Sequence, residues 1–137
     1  RRALSGAPFL QACRRQPAPF TPVWLMRQAG RYMPEYRAVR DRYTFLDLCK
    51  DSDAAAEVTA TAVEVLGVDA AILFADILLI LEPLGVGLEF AKGDGPVIHR
   101  PVRGPREVDA LPEPDPRETV PFVFDAVRKA RAALPAG

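Results

Sequence analysis

The stretch VDAAILFA, Val68 to Ala75, followed by Asp76, decides the fold of this 137-residue chain. Its apolar residues do not alternate with polar ones, which is typical of a β-strand covered on both faces, as in a parallel sheet or barrel. Asp76 would then end the strand at the face where β/α barrels carry their catalytic groups, with Asp69 on the opposite, structural face. Spacing alone also allows Asp76 to be a cap for the following turn.

The region before this strand is predicted to contain an irregular leader and a helix. Arg1–Ala18 reads as a mobile or weakly helical leader, and Thr21–Met26 as an extended apolar segment. Pro34 suits the first position of a helix, which we expect to run to about Tyr43.

A longer helix is predicted next. Asp51 or Ser52 can cap its start, and Gly67 can end it. Apolar residues recur in it at the spacing of one buried stripe, which makes a single core-facing side the expectation. The stripe comprises Val58, Ala62, Val65 and Leu66.

Beyond the strand, a connector over Ile77–Leu84 leads to a predicted hairpin over Gly87–His99, with Lys92–Gly95 (KGDG) as its turn. A last helix begins either at Asp115 or after Thr119, since both residues can act as caps. The predicted strand, the connector with its hairpin, and the last helix together form the first unit of a β/α barrel. The buried face predicted for the last helix comprises Val123, Val127, Ala130 and Leu134.

An arginine-rich run, PVWLMRQAGRYMPEYRAVR, spans Pro22 to Arg40. Extended to Arg42, the part from Arg27 holds five arginines against Glu35 and Asp41 alone, in a chain whose formal net charge is zero. Arginine pairs in a two-pronged geometry with carboxylates or phosphates. A solvated helix face is the ordinary explanation of such a run, but the glycine and proline within it indicate the irregular backbone that often lines a site.

The run resembles the N-terminal signature of the uroporphyrinogen decarboxylase family. The similarity continues through LFADILLI (Leu73–Ile80) and KGDGP (Lys92–Pro96), and the order of elements agrees from about Phe9 onward. The resemblance implies an α/β fold of the (β/α)8 TIM-barrel family. Only the N-terminal helices and the first β/α unit are expected in residues 1–137, which we interpret as the N-terminal portion of a longer, single barrel domain and expect to be poorly stable alone.

The resemblance also implies an activity. Members of the family decarboxylate the four acetate side chains of uroporphyrinogen III to methyl groups, giving coproporphyrinogen III and carbon dioxide in porphyrin biosynthesis. They are cytoplasmic homodimers that need no metal or organic cofactor. Asp76 matches the aspartate that binds the pyrrole N–H groups. Arg27 matches a family residue that grips substrate carboxylates, and it is the second residue that the resemblance implies to be catalytic. The implied substrate-binding residues are Arg27, Gln28, Ala29, Arg31, Arg40, Ile72, Phe74 and Asp76.

Composition argues against two other classes of protein, those that span a membrane and those that bind nucleic acid. The longest near-apolar run is too short to span a membrane, and zero net charge without an aromatic–basic platform argues against nucleic acid. Cys13 and Cys49 are interpreted as reduced thiols, and His99 as a surface residue. Two alternatives stay open: a corrinoid-dependent methyltransferase of the same barrel superfamily, which would carry zinc ligands in later strands, and a non-catalytic fragment that binds tetrapyrroles.

Overall fold

The computed structural model describes residues 7–91 and 95–134. In these residues the chain is rich in helix, with one two-stranded antiparallel sheet and one 3₁₀ helix, Ile77–Leu81. The sheet pairs β1 (Leu88–Ala91) with β2 (Gly95–Ile98). The α-helices are α1 (Pro8–Cys13), α2 (Pro34–Arg40), α3 (Phe45–Lys50), α4 (Ser52–Leu66), α5 (Pro105–Asp109), α6 (Pro116–Thr119) and α7 (Pro121–Ala133).

The core lies where α2, α3 and α4 meet. Met33 and Tyr36 enter it from the start of α2, Leu48 from α3, and Val58 and Ala62 from α4. The opposite side of the layer is formed by α7, which packs along α4 through small buried residues. The alanines on both helices let their backbones approach closely, so α4 becomes the central element to which the other parts are attached.

The predicted ends of α4 are confirmed. Of the two candidate caps, Asp51 serves, since its carboxylate accepts hydrogen bonds from the N–H groups of Asp53 and Ala54, each at 3.0 Å. Gly67 ends the helix with φ of 62°, a left-handed conformation in which a side chain would be strained. The second oxygen of Asp51 accepts a bond from the Tyr43 hydroxyl at 3.1 Å, which ties the end of α2 to the start of α4.

Asp51→Ala is expected to lower the free energy of unfolding by about 1 kcal/mol, because the cap is lost. The N–H of Ala54, with a smaller effect from Tyr43, holds the pKa of Asp51 below its ordinary value of 3.8. A lowered pKa in the folded state means that the charged form stabilises the fold fully above pH 3.8 and less as the pH falls through the folded value. Denaturant unfolding followed by circular dichroism measures both effects.

Asp51→Asn is the matched control for that experiment, because asparagine is an equally good cap but does not titrate. Any advantage of the wild-type chain over Asp51→Asn at pH 7 should shrink as the pH falls below 3.8 and disappear below the folded-state pKa of Asp51. A difference that persists or grows in acid would contradict the assigned role of the charge.

The prediction of a strand at residues 68–75 is not met in the described part of the chain. These residues form no β-ladder, because no neighbouring strand pairs with them there, and all but the exposed Ala75 are half-buried rather than covered on both faces. Their backbone is bound instead by other groups. Asp69 exchanges two 2.8 Å bonds with Val23, its N–H donating to the Val23 carbonyl and its carboxylate accepting from the Val23 N–H. That bracing role agrees with the structural face predicted for Asp69.

The predicted hairpin is confirmed by the pairing of Leu88 with Ile98 and of Phe90 with Pro96. Most of its predicted turn, Lys92 to Asp94, lies outside the described residues. His99 is exposed and lies 3.0 Å from the Glu89 carboxylate, in agreement with the prediction of a surface residue.

Several helix boundaries and faces differ from prediction. The helix from Pro34 ends at Arg40, because Thr44 caps a separate helix, α3, with a bond from the Asp47 N–H. Asp115 caps only the short α6, and α7 begins at Pro121 without a side-chain cap.

Two valines predicted to be buried are exposed. Val65 is 52% exposed because it lies near the end of α4, beyond the reach of the much shorter helices α2 and α3. Val127 is 48% exposed because α7 turns Ala126 and Ala130 toward α4 instead. The predictions for Val58, Ala62 and Ala130 are confirmed, since each is at most 5% exposed.

Candidate functional site

Asp76 lies where the irregular segment ends and the 3₁₀ helix begins. One carboxylate oxygen, Oδ1, accepts a 2.8 Å hydrogen bond from the N–H of Leu78, so the residue does cap the turn, as spacing alone allowed. The side chain is half-buried, and the next residue, Ile77, is 91% exposed. Asp76 is thus held by its turn at the edge of the described structure, with its second oxygen not used by the cap.

The buried thiol of Cys49 lies beside Asp76. It is 3% exposed and its pKa is raised to about 11, first by burial and then by the negative charge of Asp76. The positive charge of Arg40 and a hydrogen bond from the Asp76 backbone N–H act in the opposite direction. Cys49 therefore stays protonated at neutral pH, and it shows that Asp76 and Arg40 approach the same point in the structure.

Tyr36 connects Arg40 to a second arginine. Burial raises the pKa of the Tyr36 hydroxyl, while the charges of Arg40 and Arg31 partly offset that effect. The guanidinium of Arg40 also donates to the Tyr43 carbonyl at the end of α2. Of the predicted site residues, Asp76 and Arg40 therefore both lie close enough to Cys49 to affect its pKa, and Arg40 and Arg31 both lie close enough to Tyr36 to affect the pKa of its hydroxyl.

Arg27 does not join that group. Its side chain is exposed, and its guanidinium has no hydrogen bond or ion pair with any residue in 7–91 or 95–134. The Arg31 guanidinium is likewise exposed and unbonded within those ranges, although its carbonyl accepts a 2.8 Å bond from Arg37. Two arginine forks are thus not used to hold the described part of the fold together.

Gln28 points inward, unlike its neighbour Arg27. It is 1% exposed, its oxygen accepts from the Leu25 N–H at 3.3 Å, and its nitrogen donates to the Ala70 carbonyl at 3.0 Å. These bonds fasten the arginine-rich run to the segment that leads to Asp76. Ala29 packs half-buried against the core. Both residues have internal contacts in the structure, so contact with a ligand remains a prediction for them.

Gln28→Leu is expected to destabilise the protein by about 1–3 kcal/mol, because it leaves the Leu25 N–H and the Ala70 carbonyl without partners. Thermal unfolding measures the loss. Arg27→Ala, which removes an exposed side chain from the adjacent position, is the control and should leave the melting temperature unchanged. Equal melting temperatures for Gln28→Leu and the wild-type chain would contradict the fastening role.

The two apolar residues predicted to contact a ligand are half-buried. The Phe74 ring lies 5.5 Å from that of Tyr36 and 6.2 Å from that of Phe45, measured between centroids, and it packs against the core. Its visible role is packing, which an apolar side chain next to the core can have without any ligand. Ile72 is half-buried in the same segment, and contact with a ligand stays a prediction for both residues.

Sequence reasoning missed the polar groups that hold the Asp76 region in place. The Thr59 hydroxyl is 1% exposed and accepts a 2.9 Å bond from the Phe74 N–H. The Lys50 ammonium lies 2.8 Å from the carboxylate of Glu82, the residue that follows the 3₁₀ helix. Thr59 lies between Val58 and Ala60 in α4, and only its unexpected polarity on a buried face could have signalled a role.

Exposed guanidinium groups on a run that Gln28 fastens to the segment before a half-buried carboxylate are typical of a site for a polyanionic ligand with N–H groups of its own. Comparison with known proteins then identifies the family to which the chain belongs. The family model described as uroporphyrinogen decarboxylase (URO-D) matches residues 5–137. The chain belongs to the uroporphyrinogen decarboxylase family.

Curated relatives agree with this assignment. A protein named uroporphyrinogen decarboxylase from Chloroflexus aggregans is 60% identical over 126 residues, 92% of this chain and 35% of that protein. Proteins of the same name from Roseiflexus sp. and Sorangium cellulosum are each 57% identical over 92% of this chain and 36% of their own length. The chain therefore spans little more than a third of these relatives. No helix among the described residues is long and apolar enough to cross a membrane.

Proposed function

We propose that this chain contributes the Asp76 carboxylate and the arginine-rich run to an enzyme that decarboxylates uroporphyrinogen III to coproporphyrinogen III. The observation that carries the proposal is the half-buried Asp76, which shares the surroundings of Cys49 with Arg40 and is itself fixed by its turn. Family membership and the names of the relatives support the same activity over the corrinoid-dependent methyltransferase.

The proposed decarboxylation requires a carboxylate beside the centre of the tetrapyrrole. Asp76 would accept hydrogen bonds from the pyrrole N–H groups at the centre of the tetrapyrrole. When a pyrrole carbon is protonated, the ring becomes cationic, and a fixed negative charge beside it stabilises that state without reorganising. The electrons of the bond to the acetate carboxylate then flow into the ring as carbon dioxide leaves. A proton then adds to the methylene carbon and the ring carbon gives up the proton it had gained, so that the acetate becomes a methyl group and the pyrrole is restored.

The arginines would hold the carboxylates of the substrate. The guanidinium groups of Arg27 and Arg31 have no hydrogen-bonded partners in the described residues, and each fork can bind one acetate or propionate group. Arg40 would contribute less, since it also binds the Tyr43 carbonyl. Arg27 would lie nearest the reacting acetate. Gln28, Ala29, Ile72 and Phe74 would line the cleft from the side of the protein interior.

The wider architecture is part of the same proposal. We propose that residues 1–137 form the N-terminal portion of a (β/α)8 barrel, in which residues 68–75 become the first strand once neighbours pair with them. Apolar side chains left exposed at Trp24, Leu25, Met26, Ile77 and Ile80 support a covering by further protein. A cytoplasmic homodimer is the corresponding proposal for the complete enzyme.

Complementation tests the function. In the chimera used below, this chain replaces the matching 126-residue segment of the Chloroflexus aggregans protein. The chimera should restore growth without added haem to a strain that lacks uroporphyrinogen decarboxylase. The unaltered Chloroflexus aggregans protein is the positive control, and a chimera that is expressed and soluble but gives no growth would contradict the proposal.

A further inference from the structure

The Thr59 hydroxyl makes two hydrogen bonds in the interior of the protein. It donates to the Ala55 carbonyl at 2.7 Å, the bond that a threonine within a helix commonly makes. It also accepts from the N–H of Phe74 at 2.9 Å, across a separation of 15 residues. The second bond is the unusual one, because it attaches α4 to a backbone group that lies two residues before Asp76.

That bond is important because residues 68–75 have no β-ladder in the described structure. A backbone N–H that is shielded from water and lacks a partner costs free energy, so the bond to Thr59 helps to hold the end of the segment in this position. The Phe74 ring is held at the same point by Tyr36 and Phe45. Beyond the 3₁₀ helix, the Lys50–Glu82 ion pair holds the other end of the Asp76 turn.

We infer that Thr59 is a positioning residue, whose hydroxyl sets where the Asp76 carboxylate stands relative to the arginines. The inference rests on the proposed function, since it gives Thr59 a role only through Asp76. It separates Thr59 from the alanines around it in α4, which fill space but bind nothing in the Asp76 segment.

Thr59→Val in the chimera is the direct test, because valine has nearly the shape of threonine but cannot accept the Phe74 hydrogen bond. A misplaced catalytic group should lower kcat by about 10- to 100-fold. The KM should change by no more than about twofold, because the arginines that bind the substrate are untouched. Thr59→Ser, which keeps the hydroxyl, should restore most of the kcat. Steady-state kinetics with uroporphyrinogen III compares both variants with the unsubstituted chimera.

Ala126→Gly is the matched control for a loss of stability. Ala126 is 2% exposed and lies on α7, which packs along α4, so the variant weakens the same layer without touching the Asp76 segment. It should lower the melting temperature but leave kcat unchanged. The inference is overturned if Ala126→Gly lowers kcat as much as Thr59→Val does, if Thr59→Val keeps the wild-type kcat, or if Thr59→Ser fails to recover it.

A double variant separates this inference from the proposed function. Added to Asp76→Asn, Thr59→Val should cause no further fall in kcat, because the charge it positions is already absent. A further fall of the same size would overturn the positioning role while leaving Asp76 in place. If Asp76→Asn alone kept full turnover, the proposed function would fail instead. Hydrogen exchange of the peptide covering residues 71–78 should quicken in Thr59→Val, and unchanged exchange there would also overturn the inference.

Discussion

Asp76→Asn is expected to lower the kcat of the chimera for uroporphyrinogen III by about 10²–10³-fold, the size of effect seen when one preorganised electrostatic group is removed from an active site. The substitution removes the negative charge that would stabilise the protonated pyrrole. It keeps an oxygen that can accept the 2.8 Å bond from the Leu78 N–H, so the turn should remain capped. Steady-state kinetics and circular dichroism together measure activity and fold.

Asp76→Ala is the comparison that separates charge from capping. It removes both, so it should lose activity as Asp76→Asn does and lower the melting temperature as well. The account is contradicted if Asp76→Asn turns over substrate at nearly the normal rate. It is also contradicted if Asp76→Asn and Asp76→Ala lose stability equally, because the cap would then be unimportant.

Arg27→Ala is the second variant with a large expected effect. A hydrogen bond between charged groups contributes about 1.5–3 kcal/mol, so the KM should rise by about 10- to 100-fold. The Arg27 side chain is exposed, and its guanidinium has no hydrogen bond or ion pair within the described residues. Its removal should therefore leave the melting temperature unchanged. Arg27→Lys should recover only part of the affinity, since lysine keeps the charge but not the two-pronged geometry.

Salt and a second arginine provide the controls. Raising the ionic strength should raise the KM of the wild-type chimera more than that of Arg27→Ala, which has lost one of the screened contacts. Arg42→Ala removes the same charge from an exposed position, where the guanidinium makes one long ion pair, of 3.9 Å, with the Glu57 carboxylate. It should change the KM little. Equal effects of Arg27→Ala and Arg42→Ala would indicate general attraction rather than a specific clamp.

The parts of the fold that could be predicted depend on local chemistry. Helix α4 begins after Asp51 because a carboxylate caps a helix start, and it ends at Gly67 because glycine tolerates a positive φ. Neither effect depends on distant partners. Pro34 begins α2 for a similarly local reason. The helix α3 was missed, although Thr44 followed by Asp47 carries the spacing of a helix start.

Other features could not be predicted because they depend on distant partners. The apolar run at residues 68–75 has the composition of a buried strand, but a strand requires a neighbour, and the described residues supply none. The predicted burial of Val65 was wrong because its packing partners are shorter than α4, and that of Val127 was wrong because α7 turns Ala126 and Ala130 toward α4 instead. The inward direction of Gln28 and the second bond of Thr59 each join residues that are 15 or more positions apart in the sequence.

The candidate site was predicted in its residue types more than in its arrangement. Asp76 and Arg40 share the surroundings of Cys49, and Arg40 and Arg31 share those of Tyr36, while contact of these three residues with a ligand stays a prediction of the resemblance. Their link through Cys49 and Tyr36 was not foreseen, because a buried thiol and a buried phenol carry no signal of their own in the sequence. Gln28 and Phe74 show internal contacts instead of an open surface, which makes them supports of the site as far as the structure describes it.

The most direct test of the central claim is the yield of carbon dioxide per tetrapyrrole when the purified chimera acts on uroporphyrinogen III. The account predicts four molecules of carbon dioxide for each substrate consumed, with coproporphyrinogen III as the product separated by chromatography. Folded chimera that releases no carbon dioxide, under conditions in which the Chloroflexus aggregans protein releases four, would contradict it.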